Sequence, residues 1–309
     1  MVKVKYEIVG FKNMSIFGTF KLIFNHPMTR TQRVASYMRW LRWQLSSRIG
    51  LGDSVVEFVG GTKLLAQSGM TGATGNIYCG LHECHDMGFV LHFLRKGDLF
   101  LDVGANIGSY TVLASGAVGA DTISFEPVPK TFQHLLDNIY LNRIVDHVMP
   151  HNVAVGSKAG ELEMMSDRDT VNRVVTNEVY FGEKVNVPVV TLDEILAGRV
   201  PKLIKIDVEG FETLVLKGAE QTLGDANLEA VLMELNGSGK AYGFDEYEIH
   251  KYMINLGYKQ CSYNVLTREL HISTVVSWYT GNNLYVRNPT RAQELVSSAQ
   301  RYPVIGMQL

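Results

Sequence analysis

The sequence predicts an α/β fold: a doubly wound, mostly parallel sheet with an antiparallel strand at its end, preceded by an N-terminal extension of helix and hairpin. Three observations carry that expectation. From residue 98 onward, strand-like apolar runs alternate regularly with helix-like ones. The stretch "LFLDVGANIGSYTVLA" (99–114) passes from a strand through a glycine turn into a helix. The next strand-like run ends in an acid, Glu126, twenty-two residues after Gly104.

Taken in order, residues 1–30 read as short strand or irregular pieces. From Thr31 the pattern turns helical, because Val34, Met38, Leu41, Leu45 and Ile49 recur at spacings of three and four. Two apolar runs around Gly60-Gly61 in "VVEFVGGTKLLA" (55–66) signal a hairpin. "SGMTGATGN" reads as a loop, followed by a helix that begins near Asp86. The strands of the main sheet are expected at 99–103, 122–126, 148–155, 202–208 and 228–235. Helices are expected at 109–117, 129–142, 211–223 and near 245–256. Residues 160–191 look like an inserted pair of strands, and "YKQCSYN", "RELHIS" and "NLYVRN" like late antiparallel ones. The resulting boundaries are 1–75 for the extension, 76–290 for the α/β domain and 291–309 for the tail.

Composition narrows the function classes. The 309 residues are 46% hydrophobic and 19% charged, enough for a packed core. The net charge is −2, yet residues 1–50 hold nine basic groups against Glu7 alone. An acidic body behind a basic front argues against nucleic acid as a partner. The front suits an anionic or membrane surface met through residues 30–49, or a docking face for a homodimer. Three cysteines imply no disulfide framework and fit a reducing compartment. No run of eighteen apolar residues and no clean leader is present, so a cytoplasmic protein is expected, peripheral to a membrane at most.

The glycine turn points to a cofactor. Glycines let the backbone turn tightly and a ligand approach closely. Glu126 is placed to accept from a ribose diol. A dinucleotide site prefers G-x-G-x-x-G, whereas Asn106 occupies the central position here. Asp102 brings a carboxylate that would repel pyrophosphate but suit an ammonium group. An amine and a sugar without phosphate describe S-adenosylmethionine; a nucleotide-dependent oxidoreductase and a non-catalytic cofactor-binding protein are the alternatives from other classes.

The segments "DVGANIGSYT", "FEPVP", "VPVVTLDEIL" and "KIDVEGFETLVLKGA", in this order, resemble the FkbM family of S-adenosylmethionine-dependent methyltransferases. The likeness covers roughly residues 75–260, and "TGNIYCGLHECHDM" resembles a lead-in found in part of that family. It implies the Rossmann-like class I methyltransferase fold and an O-methyltransferase acting on a sugar or glycan hydroxyl, or on a secondary metabolite. It also implies cofactor contacts at Asp102, Gly104, Ala105, Asn106, Gly108, Ser109, Tyr110, Glu126 and Pro127. Adenine is expected beyond the third strand, at Asn152 and Val153.

Methyl transfer to a hydroxyl needs alignment and removal of a proton. Acids at strand ends are the candidates: Asp207 and Glu209 on one side of a strand, and Glu234 at the end of the next. Glu212 reads as a helix-end charge. The same acids offer oxygen ligands, so a divalent cation is a second use, not the expected one. Cys79, His82, Cys84 and His85 match no standard zinc spacing. With Glu83, the two histidines read as bordering the cofactor pocket.

Overall fold

The computed structural model describes residues 16–48, 54–67, 70–166, 174, 182–273 and 281–309. Two helices lead, α1 (Ile16–Asn25) and α2 (Arg33–Arg48), then a hairpin of β1 (Ser54–Glu57) and β2 (Lys63–Ala66), then α3 (Thr71–Cys79) and α4 (Cys84–Phe93). The α/β body follows: β3 (Leu99–Val103), α5 (Ser109–Thr111, continuing as a π-helical turn over Val112–Val118), β4 (Asp121–Phe125), α6 (Pro129–Leu141) and β5 (Val148–His151). Next come β6 (Ala154–Val155), β7 (Gly160–Met165), β8 (Lys184–Val190), α7 (Leu192–Leu196), β9 (Leu203–Ile206), α8 (Glu212–Lys217), α9 (Glu220–Gly224) and β10 (Ala230–Leu235). The chain closes with α10 (Glu246–Asn255), β11 (Lys259–Asn264), β12 (Glu269–Ile272), β13 (Gly281–Val286), α11 (Pro289–Ser298), β14 (Pro303–Val304) and β15 (Met307–Gln308).

The central sheet has eight strands in the order β12-β11-β13-β10-β9-β3-β4-β5. β5, β4, β3, β9 and β10 are mutually parallel. β13 runs antiparallel between β10 and β11, and β12 closes the edge antiparallel to β11. This is the Rossmann-like class I methyltransferase fold. Strand alternation makes two apolar layers. Phe100, Leu203 and Leu232 pack with α4, α5 and α6 on one face, and Leu101, Ile204 and Val231 pack with α8, α9 and α10 on the other. The first layer also takes in Met28, Phe58 and Leu64 from the front and Val296, Tyr302 and Leu309 from the tail. One core therefore runs across residues 75 and 290. Asn138 of α6 and Asn142 just after it accept from the backbone N–H groups of Leu65 and Lys63, holding the hairpin on the body.

Four expectations need correction. Residues 16–25 are helical rather than irregular, while residues 1–15 lie outside the described residues. The stretch read as a glycine loop is α3; a Cβ on Gly75 would lie 2.7 Å from the His82 ring, so that glycine serves close packing rather than a turn. The strand expected over 148–155 is two, because the Asn152 side chain donates to the Glu126 and Pro127 carbonyls and turns the chain. β6 then joins β8 and β7 in a separate three-stranded sheet, the expected insertion. The helix expected over 211–223 breaks at Gly218, where a Cβ would meet the Gly156 carbonyl at 2.0 Å.

Candidate active site

A cavity of about 620 Å³ opens where β3, β4, β9 and β10 end. On one side lies the glycine turn. Gly104 has φ +79°, and a Cβ there would sit 1.9 Å from the Asp207 backbone carbonyl, so only glycine fits against the neighbouring strand end. Asn106 is also left-handed, with φ 52°. Its N–H donates to Glu126 Oε2 at 3.0 Å, and Val128 N–H donates to Glu126 Oε1 at 3.0 Å. Glu126 thus ties the turn to the end of β4 and keeps lone pairs facing the cavity. Its burial pushes the carboxyl up to about 7.

Among the sequence-proposed cofactor contacts, Gly104, Ala105, Asn106, Ser109, Tyr110, Glu126, Pro127 and Val153 line this cavity. Gly108 does not; it caps α5 with φ 88° and packs against Leu135. Asn152 does not either, being spent on the turn beyond β5. Asp102 is a clear departure. It is fully buried beneath the turn, accepts from Thr111 Oγ1 at 2.7 Å and lies 3.9 Å from Lys205 Nζ. Asp102 lies on the same face of the sheet as its in-register neighbour Lys205, but Thr111 of α5 covers it, so it sits beneath the turn rather than in the cleft.

Next to the turn, at the ends of β9 and β10, lie the acids. β9 ends at Ile206, and Asp207 follows with its side chain 30% exposed and its carboxylate 3.1 Å from Lys205 Nζ. Lys205 is itself buried and donates to the Gly104 carbonyl at 3.4 Å, beneath the Tyr110 ring. Burial alone would lower its ammonium; the Asp207, Asp102 and Glu83 carboxylates outweigh that and hold it above the usual lysine range. Glu209 reaches the cavity through a left-handed backbone, φ 54°, and not through the strand alternation expected of it. Glu234 ends β10 facing Asp207. Burial, then the Asp207 and Glu209 carboxylates, raise its carboxyl strongly, so it holds a proton at neutral pH. Carboxylate oxygens of Asp207, Glu209 and Glu234 lie within 4.8 Å of one another.

Glu212 turns inward. It is 1% exposed, and its Oε1 accepts from the backbone N–H groups of Val208 and Gly210, fixing the turn that presents Glu209. Burial pushes it up to about 7.

Two site residues escaped the sequence reading. Lys205 lies within an apolar strand pattern that gives it no signal of its own, although it stands two positions before Asp207 and shares its phase. Glu83, noted only as bordering the pocket, accepts from Tyr110 Oη at 2.7 Å and from Asn282 Nδ2 at 2.8 Å, joining the lead-in segment, α5 and β13. No sequence signal linked positions so far apart. His82 lines the cavity beside it, and burial lowers its imidazole to about 4. Cys79 and Cys84 are buried thiols pushed up to about 12, unsuited to metal binding as thiolates.

A family model described as the methyltransferase FkbM domain matches residues 102–260, just over half of the chain. The chain belongs to the FkbM methyltransferase family. That membership accounts for the coincidence of the glycine turn, Glu126 and the "KIDVEG" strand end, and decides against the dinucleotide oxidoreductase alternative. Two relatives in the family's range are the hexuronic acid methyltransferase AglP of Haloferax volcanii, 31% identical over 150 residues, and the 31-O-demethyl-FK506 methyltransferase FkbM of Streptomyces tacrolimicus, 29% identical over 161. The matches cover 48% and 41% of this chain and span only 59% and 61% of those proteins. Among solved structures, a precorrin-6y C5,15-methyltransferase from Geobacter metallireducens is similar at a TM-score of 0.39 and 10% identity, over 67% of this chain and 89% of that one. The fold assignment rests on the strand order. The family and the fold imply S-adenosylmethionine as cofactor.

Proposed function

We propose that this FkbM-family chain transfers the methyl group of S-adenosylmethionine to a sugar hydroxyl in glycan or polysaccharide assembly. The observation that carries the reading is the placing of the glycine turn and the Asp207–Glu209–Glu234 acids side by side around one cavity. The residues present suit the cofactor: Glu126 for the ribose diol, Val153, Ala154 and Val128 for adenine, and the Gly104–Ser109 turn with Tyr110 for the amino-acid end. When bound, the cofactor supplies a sulfonium methyl already activated for displacement. The protein's task is to hold the acceptor oxygen in line and take its proton.

Asp207 is the group that does both. Lys205 pairs with it at 3.1 Å and orients it, while Glu234, its carboxyl raised by burial and by the neighbouring acids, hydrogen-bonds to it. Asp207 would take the hydroxyl proton of an acceptor held in line with the sulfonium methyl that the bound cofactor would supply. The three acids also suit a hard divalent cation by donor type, with Glu234 then losing its proton. The reading does not require one.

A hydroxyl acceptor fits the charge of the cavity better than a carboxylate. Among the described residues lining it, Lys205 is the only lysine or arginine, and it is already paired with Asp207. The AglP relative, named for a hexuronic acid, supports a sugar. A second reading, the hydroxyl of a secondary metabolite, is favoured by the apolar wall of Leu162, Met164, Val174 and Phe211 and by the FkbM relative. Labelled methyl transfer to a panel of free sugars, lipid-linked sugars and polyketides tests both. Labelling of polyketides alone would reject the sugar reading, and failure to bind S-adenosylhomocysteine would reject methyl transfer itself.

A further inference from the structure

The apolar stripe on α2 faces away from the core. Val34, Met38, Leu41 and Leu45 are all exposed, Val34 by 77%, while Ser36 and Trp43 occupy the inner face. α1 repeats the inversion, with Phe17 81% exposed, Phe24 52% exposed, and Thr19 and Ile23 buried. Both helices thus expose large apolar side chains to the outside, and they meet where Phe20 packs on Tyr37 and Trp40. Contiguous exposed apolar surface of this kind marks an interaction face.

Charge selects the occupant. Residues 16–48 contain six basic groups and no carboxylate. Arg33 sits 4.1 Å from the centre of the Phe24 ring and donates to the Phe24 carbonyl, placing a cation at the rim. Lys21 and Arg42 are exposed beside the stripe. Tyr37 and Trp40 pack on Phe20 at 4.8 and 5.0 Å, supplying amphipathic rings where the helices meet. An apolar face rimmed by cations and aromatic rings, free of acids, complements an anionic lipid surface. A second copy of the chain would instead bring two cationic rims together.

We propose that α1 and α2 form a platform that seats on an anionic lipid bilayer, with the exposed Phe, Val, Met and Leu side chains in the headgroup–acyl boundary and Lys21, Arg33 and Arg42 on lipid phosphates. No helix among the described residues is long enough and apolar enough to cross a membrane, so the contact is peripheral. The platform is wired to the cavity. Ile23 and Trp43 pack in one cluster with Ile107 of the glycine turn, and His26 Nε2 lies 3.0 Å from the carbonyl of His82. Seating the helices therefore engages elements that pack directly on the glycine turn. The proposal stands apart from the methyl-transfer reading.

The test is sedimentation of the full chain with phosphatidylcholine vesicles and with vesicles containing phosphatidylglycerol. Binding at least about tenfold tighter to the anionic vesicles, weakened by salt, is expected. Phe17→Ser with Leu41→Ser should abolish it, and Lys21→Gln with Arg42→Gln should weaken it about tenfold or more. Both variants should keep wild-type affinity for S-adenosylhomocysteine, which shows that they fold. Absence of vesicle binding, or binding that ignores lipid charge or these substitutions, overturns the proposal. So does a dimer, seen by sedimentation equilibrium without lipid, that Phe17→Ser with Leu41→Ser dissolves; that result assigns the face to a second copy.

Discussion

Glu126 and Asp102, under the glycine turn, and Asp207, Glu209 and Glu234, at the ends of β9 and β10, are all acids in or at the ends of strands, yet the fold treats them in opposite ways. Glu126 is wrapped by two backbone N–H donors, and Asp102 is sealed against Thr111 and Lys205. The other three crowd within 4.8 Å, and among the described residues lining the cavity Lys205 is the one lysine or arginine beside them. Acids satisfied by the backbone shape a binding surface. Acids left in mutual repulsion store the capacity to take a proton or a cation.

That contrast can be broken experimentally. Asp207→Asn is expected to cost about 10²–10⁴-fold in methyl transfer, with calorimetric affinity for S-adenosylhomocysteine near wild type. A matching loss of affinity would place Asp207 on the cofactor side. Lys205→Met strands Asp102 and Asp207 without their cation, and thermal unfolding should show a loss of about 3–5 kcal/mol. Glu126→Ala should weaken cofactor binding roughly tenfold to a hundredfold, read by titration, with a smaller change in turnover at saturating cofactor. Glu234→Gln mimics the protonated carboxyl, so at neutral pH it should lose no more than about tenfold in rate. A far larger loss, together with inactivation by chelator, would mean that the trio works through a cation.

The smallest effect concerns Glu212. Its folded-state pKa, about 7, lies above the ordinary value of 4.5, so the folded state holds the proton more tightly. Its stabilisation is therefore greatest below pH 4.5 and falls as pH rises towards 7. Glu212→Gln keeps an acceptor for Val208 and Gly210 but cannot titrate. The stability of the wild type relative to this variant should decline between pH 5 and pH 8 in parallel melts, and a rising difference would contradict the burial of that carboxyl.

The body of the fold was legible because its signals are local. The strand at 99–103 coincides with β3, and β4, β9 and β10 fall within or a residue from their expected spans. What escaped was decided by tertiary contact. α3 forms in a glycine-rich stretch because Gly75 packs on His82, overriding weak local propensity. α1 lacked the buried stripe that would announce a helix, since its large apolar residues point outward. At the site, alternation applied to Asp207 also reaches back to Lys205, so that residue could have been read from the strand phase. Asp102 could not: it shares the face of Lys205, and only the packing of Thr111 over it removes it from the cavity. Glu83 with Asn282 is different: 199 positions separate them, and only the folded chain joins them.

The contact between Gly104 and the Asp207 carbonyl has a consequence for how such a site can diversify. Backbone touches backbone there, so the spacing between the proposed cofactor turn and the proposed proton acceptor is set by the main chain rather than by any side chain. A displacement of about 1 Å at a reacting centre can cost a hundredfold in rate. Leu162, Met164 and Phe211, on the cavity's outer wall, can therefore be exchanged to admit a different alcohol while donor and base stay in register. Acceptor range and transfer geometry are separable traits of this chain.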